Sequence, residues 1–313
     1  MRRRAGGPTA TTSGTDAPPL SADRVRRFRR RLLEWGAGHR RDLPWRRTRD
    51  PWRILVSEVM LQQTQVERVV PHYERFVATF ASPAECAAAR PAEVVRLWSG
   101  LGYNRRALNL HRAACSVVND HAGDLPRGDE ELRALAGVGP YTARAVRSLA
   151  FGEDVAAVDT NAVRVLARCV RGAPLGATAA TRLGDRLVPA GLSWEFNQTM
   201  FDLGATVCTG TRPDCASCPL RHQCAWRRDG TVEADPWRSS PSARAQGAFA
   251  GSDRQGRGRL LDALRGGGVA ALALAGACGW PEDRARAERI AAALVAEGFA
   301  RWSGGADPVL RLR

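Results

Sequence analysis

Apolar positions recur with helical spacing along most of the chain. After a start at Ser21, the residues Val25, Phe28, Leu32, Leu33 and Trp35 fall on one side of a helix. Asp50-Pro51 has the form of a second helix start, and Ser82-Pro83-Ala84-Glu85 is a capping box with proline at the first helical position. Such segments follow one another to about residue 205 without strand-like alternation, broken by glycine turns at Gly100 to Gly102 and Gly137 to Gly139. The pattern predicts an all-α body over residues 21–228.

Residues 1–20, made of Arg, Gly, Thr and Pro, read as a disordered basic tail. Residues 229–256 are rich in Ser, Arg, Gly and Asp and read as a linker. Beyond them, residues 257–313 carry three helical segments. Phe299 to Trp302 and Val309 to Leu312, set about Gly304-Gly305, then form a hairpin pattern. Three helices and a hairpin predict a small winged-helix-like module.

Charge narrows the function. The chain has 313 residues and a formal net charge of +15, which favours a polyanionic partner, nucleic acid before acidic membrane. All 47 basic residues are arginine. No lysine side chain is therefore present to attack a sugar carbon as an amine nucleophile. No segment has the length of a membrane span and the first twenty residues have no apolar leader, so the expectation is a cytoplasmic, nucleoid-associated protein.

Cys208, Cys215, Cys218 and Cys224 are separated by six, two and five residues in a stretch containing Pro213 and Pro219. Four thiolates this close can surround one metal centre, zinc being an alternative on ligand count; Cys215 and Cys218 alone would also suit a redox pair. Cys86, Cys115, Cys169 and Cys278 lie among apolar residues and read as core. Gly137-Val138-Gly139 forms a turn between helical patterns, where backbone N–H groups can approach a phosphate. An ordinary helix–helix turn explains the glycines equally, and Arg144 and Arg147 on the next helix favour phosphate. Glu58, Gln62 and Gln65 lie near one helical face, which taken alone is a solvated face. Asp159 taken alone is a helix N-cap.

Residues 22–228 resemble the adenine DNA glycosylase (MutY) family. The resemblance is carried by Leu43-Pro44-Trp45-Arg46, Glu58 to Val66, Gly100-Leu101-Gly102-Tyr103, Leu135 to Thr142, Val158-Asp159-Thr160-Asn161, Phe196-Asn197-Gln198 and the four cysteines. It implies a helix-hairpin-helix glycosylase fold and a [4Fe-4S] cluster on the cysteines. Glu58 would be the acid that protonates the departing adenine, and Asp159 the carboxylate beneath the sugar. Asn161 would orient Glu58 or the base, and Tyr141 would support Asp159. The related endonuclease III-type enzymes place a catalytic lysine at position 141, so the tyrosine implies a monofunctional enzyme. Gln62 and Tyr103 match wedge residues that fill the gap left by a flipped base, and Gly137, Val138, Gly139, Thr142 and Arg144 fall in the DNA-binding hairpin. At a position often aromatic in the family stands Asn104, followed by Arg105 and Arg106, a change expected at the strand contacts.

The implied substrate is double-stranded DNA with adenine mispaired with 8-oxoguanine or guanine, met by a monomer. Many members carry a larger Nudix-like C-terminal domain with a Phe-Ser-His segment, and no such segment follows residue 228. Two other readings compete: a thymine or uracil mismatch glycosylase, and a non-catalytic iron–sulfur regulator.

Overall fold

The computed structural model describes residues 20–227, 234–240, 248–305 and 307–313. The tail read over residues 1–20 therefore lies, apart from Leu20, outside the described residues. The first helix, α1 (Ala22–His39), is capped by Ser21, whose hydroxyl accepts from the Arg24 N–H. Asp50 caps α2 (Pro51–Leu61) and Ser82 caps α4 (Pro83–Ala88), each from the position its local sequence announces. Between and after them lie α3 (Val66–Thr79), α5 (Pro91–Leu97), α6 (Arg105–Asp120), α7 (Asp129–Ala134) and α8 (Pro140–Leu149). The body closes with α9 (Thr160–Val165), α10 (Ala177–Leu187) and α11 (Ser193–Asp202).

Two apolar cores result. The first takes Trp45, α2 to α8 and the apolar face of the C-terminal residues, among them Leu260, Leu294 and Phe299. The second joins α1, α9, α10 and α11 to the cysteine loop, with Phe28, Leu166, Phe196 and Trp237 inside it. Asp202 is wholly buried between Arg41 and Arg46, which reach its carboxylate at 2.6 to 2.9 Å. Burying a carboxylate in this way is tolerable because both oxygens receive charged donors.

The C-terminal residues form α12 (Asp253–Gly266), β1 (Val269–Ala270), α13 (Leu274–Cys278), α14 (Arg284–Ala296), β2 (Ala300–Trp302) and β3 (Val309–Leu312). The strands pair antiparallel in the order β1-β3-β2, with Trp302 opposite Leu310. This module docks on α5 and α6. Arg265 donates to the Val95 carbonyl and to Asn104, and the Arg313 carbonyl accepts from the Ala92 N–H.

Within the stretch read as a linker, residues 234–240 pack onto the second core. Asp235 forms a two-bond ion pair with the buried Arg168, at 2.6 and 2.9 Å, and Trp237 is buried. One tryptophan and one aspartate give this short polar stretch no periodicity that the sequence alone would reveal. Among the described residues no helix is long and apolar enough to cross a membrane.

Candidate active site and cysteine centre

A pocket of about 480 Å³ opens where the two cores meet. The first core presents Glu58 from the middle of α2 and Tyr141 from the first turn of α8; the second presents Asp159 and Asn161 at the start of α9. Four residues of different kinds, spread from position 58 to position 161, thus line one pocket.

Glu58 is 4% exposed, and burial pushes its carboxyl up to about 7. A hydrogen bond from the Tyr141 hydroxyl and the charge of Arg46 pull the other way, while the nearby Asp159 charge adds to the rise. Asp159 is N-cap of α9. Its Oδ1 accepts from the Ala162 N–H at 2.7 Å and its Oδ2 from Asn161 Nδ2 at 2.8 Å. Burial raises its pKa too, but these donors and Arg164 favour its ionised form. Tyr141 is pushed well above its ordinary value, so it remains a neutral donor.

The segment leading to Asp159 is held by Asn197. Its side-chain oxygen accepts from the Ala157 N–H at 2.8 Å, and its nitrogen donates to Ser148 Oγ and the Val155 and Ser193 carbonyls. The neighbouring Gln198, buried at the pocket wall, was not singled out from sequence as a site residue; its amide can both donate to and accept from a base edge.

Gln62 is the C-cap of α2 and reaches toward Thr142 Oγ1 at 3.5 Å. Tyr103 is 43% exposed with a φ of 45°, a conformation unfavourable for a bulky side chain. Both turns are tied by Arg106, which sequence placed among strand contacts. Its guanidinium is buried and donates to the carbonyls of Val59, Met60, Gln62, Leu101 and Gly102 and to Thr64 Oγ1. Burial lowers its pKa to about 10. An arginine with this many internal acceptors is a brace, not a phosphate contact.

Three hairpin positions are engaged inside the protein in a similar way. Val138 is buried and its N–H already bonds the Leu135 carbonyl at 3.1 Å. Gly137 is required twice, by a φ of 81° and because a Cβ there would lie 2.8 Å from the Asn109 Cβ. Thr142 is buried beneath Gln62. Arg144 donates to the Ala156 carbonyl at 2.7 Å and pairs with Asp185, while Arg147 pairs with Glu153 and Asp129. Both arginines join the hairpin helix to its neighbours.

Cys208, Cys215, Cys218 and Cys224 line one cavity, none of them in a disulfide. Cys169, read as core, is buried but also faces this cavity, in contact with Cys208, Cys218 and Cys224. That contact, with Arg168 at 3.5 Å from the Cys208 sulfur, draws Cys208 down to about 6; Cys224 is drawn down to about 7, Cys169 again first among the causes. Such a setting favours thiolates, the ligand form of cysteine. Among the described residues no three Cys, His, Asp or Glu side chains are grouped as a single ion would need. Arg164 links the two sites: it donates to Asn161 Oδ1 at 2.6 Å and to the Cys208 carbonyl at 2.7 Å.

Comparison with known proteins agrees with this geometry. Residues 56–180 match the HhH-GPD superfamily base excision DNA repair protein model. An adenine DNA glycosylase of Mycolicibacterium smegmatis is 42% identical over 273 residues, 86% of this chain and 90% of the relative. This chain belongs to the adenine DNA glycosylase family. The human member is 42% identical over 219 residues, 65% of this chain and 40% of its own. Among solved structures, a thermostable thymine-DNA glycosylase superposes with a TM-score of 0.62 at 31% identity, over 66% of this chain and 98% of its own. An endonuclease III trapped as a covalent intermediate with DNA does so with a TM-score of 0.58 at 25% identity, over 67% and 97%. The helix-hairpin-helix glycosylase fold expected from the sequence is thereby shown.

Proposed function

We propose that the protein is a monofunctional glycosylase that removes adenine mispaired with 8-oxoguanine or guanine, acting as a monomer on chromosomal DNA in the cytoplasm. The observation that carries this reading is the facing of a buried, proton-holding Glu58 and a donor-surrounded Asp159 across one pocket. Breaking an N-glycosidic bond leaves an electron pair on the base and a cationic sugar. Near neutrality Glu58 can give its proton to a ring nitrogen of adenine, so that the base departs uncharged. The Asp159 carboxylate stabilises the sugar cation until water adds at C1′ and loses its proton, leaving an abasic site. Tyr141 and Asn161 hold the two carboxyls in place, and Gln198 is positioned to read the adenine edge, which amides pair with in two bonds.

The four cysteines would hold a [4Fe-4S] cluster, which suits thiolates spread round a cavity better than a zinc ion; bound there, it would serve as the structural anchor of the cysteine loop. The test is single-turnover excision from a duplex with one central adenine opposite 8-oxoguanine, half of each time point treated with alkali. Strand breaks only after alkali, and none with Asp159→Asn, are expected. Breaks without alkali would overturn the monofunctional assignment. The structural likeness to a thymine-DNA glycosylase motivates one second reading, and faster release of thymine or uracil opposite guanine than of adenine would establish it in place of the first.

A further inference from the structure

Sequence spacing singles out four cysteines, but five line the cavity: Cys208, Cys215, Cys218, Cys224 and, from a different element, Cys169. Two observations set Cys169 apart from an ordinary core residue. It touches three of the other four, Cys208, Cys218 and Cys224. It also stands in a π-helical turn, Leu166–Arg171, closed by a bond from the Gly172 N–H to the Ala167 carbonyl at 2.7 Å. Such a turn holds one residue more than an α-turn and re-aims the side chains it carries, which is why it recurs at functional sites. A second π-turn, Leu203–Val207, delivers Cys208 to the same cavity, its closing bond running from the Cys208 N–H to the Leu203 carbonyl at 2.7 Å.

Cys169 is fixed against the end of the motif as well. Its carbonyl accepts from the Ala225 N–H at 3.0 Å, and the Arg168 carbonyl accepts from the Trp226 N–H at 3.0 Å and from the Cys224 thiol at 3.5 Å. Cys215 has a different setting. It follows Pro213 in a stretch turned locally by Asp214, whose carboxylate accepts from the Ala216 and Ser217 N–H groups, and it alone of the five is not buried. Three buried thiols are thus gathered round Cys169, and the remaining one lies at the surface.

A [4Fe-4S] cluster takes one thiolate at each of its four irons, so five thiols at one cavity are one more than it uses. We infer that Cys169 is a reserve ligand of the cysteine centre, able to take the place of Cys215 when that exposed thiolate is lost. The exchange needs no oxidant. One iron–sulfur bond, to Cys215, breaks as another, to Cys169, forms, and the proton leaving the Cys169 thiol passes to the departing sulfur. The inference rests on the proposed cluster, and its test separates the two.

The full chain is purified anaerobically, its iron is counted, and its cluster type is read by electron paramagnetic resonance. Cys215→Ala should keep about half or more of the parent's iron as a four-iron cluster, whereas Cys169→Ala/Cys215→Ala should keep about a tenth or less, because only three thiolates remain. A second measurement needs no change at Cys215. The loaded parent is treated with iodoacetamide, and chains labelled at Cys215 by peptide mass spectrometry should retain the cluster's brown absorbance; in Cys169→Ala the same labelling should bleach it. Loss of iron from Cys215→Ala, a three-iron signal in that variant, equal iron in the single and double variants, or bleaching of the labelled parent would each overturn the inference while leaving the cluster in place. A parent that binds zinc or no metal would instead overturn the cluster reading, and the reserve ligand with it.

Discussion

Glu58 and Asp159 face the same pocket from surroundings of opposite character. Around Glu58, α2 is buried on nearly every side, from Trp52 through Met60, and the carboxyl has one hydrogen-bond donor, the Tyr141 hydroxyl, and the charge of Arg46 to offset lost hydration. Around Asp159 the chain begins a helix, and free N–H groups, an amide and the Arg164 guanidinium are all at hand. Burial pushes both carboxyls up, but around Asp159 several donors and a cation pull back toward the ionised form where Glu58 has few. The division of labour between acid and counter-charge comes from the elements carrying the carboxyls, since the two side chains differ only by a methylene.

The sharpest way to break that comparison is to remove the proton from one side only. Glu58→Gln keeps the shape and should slow single-turnover excision by about a hundredfold to ten-thousandfold, the usual worth of a general acid. In the unmodified protein the rate should fall as pH rises through about 7, because the proton is lost there. A rate for the variant near that of the parent would remove Glu58 from the mechanism. The same substitution should raise stability. The folded-state value lies above the ordinary 4.5, so Glu58's contribution is fully present below about 4.5 and is lost as pH rises through about 7. Glutamine never ionises. Its advantage in urea unfolding should grow from near zero at pH 4.5 to at most ~3 kcal/mol above pH 7.

Arg106 tests whether the first region also depends on a buried cation. Arg106→Met would leave six carbonyls and a hydroxyl without their donor, at an expected cost of ~3 kcal/mol. Affinity for a duplex carrying an abasic analogue should fall with it, as the Gln62 and Tyr103 turns separate. Wild-type stability with normal binding would show that the two turns hold themselves.

Much of this was readable in the chain, and the reasons are local. Caps at Ser21, Asp50 and Ser82 act over three residues, and the cysteine spacing acts over seventeen, so both survive in a linear string. What escaped depends on partners far along the chain. Nothing beside Arg168 announces Asp235, and nothing beside Asp202 announces Arg41 and Arg46. Glu58 taken alone had the look of a solvated face because its burial is supplied by α8 and by the second core. The basic residues of the hairpin pose a related problem: a protein whose cations are all arginine can use some of them as internal donors, and position in a motif does not tell those from any that meet phosphate.

Arg144 gives the smallest expected effect and the cleanest separation of those two uses. An arginine that neutralises a phosphate contributes about one unit to the slope of log affinity against log salt. Arg144 instead bonds the Ala156 carbonyl and pairs with Asp185, which also accepts from the Ala156 N–H, so its charge serves the segment leading to Asp159. Arg144→Gln should leave the salt slope for an undamaged duplex unchanged, and lower excision modestly through a looser Asp159. A slope reduced by about one unit with excision rate intact would return Arg144 to the DNA interface. It would also mean that the Asp159 side of the pocket holds its carboxylate by the helix start and Asn161 alone, making the contrast with Glu58 one of backbone against packing.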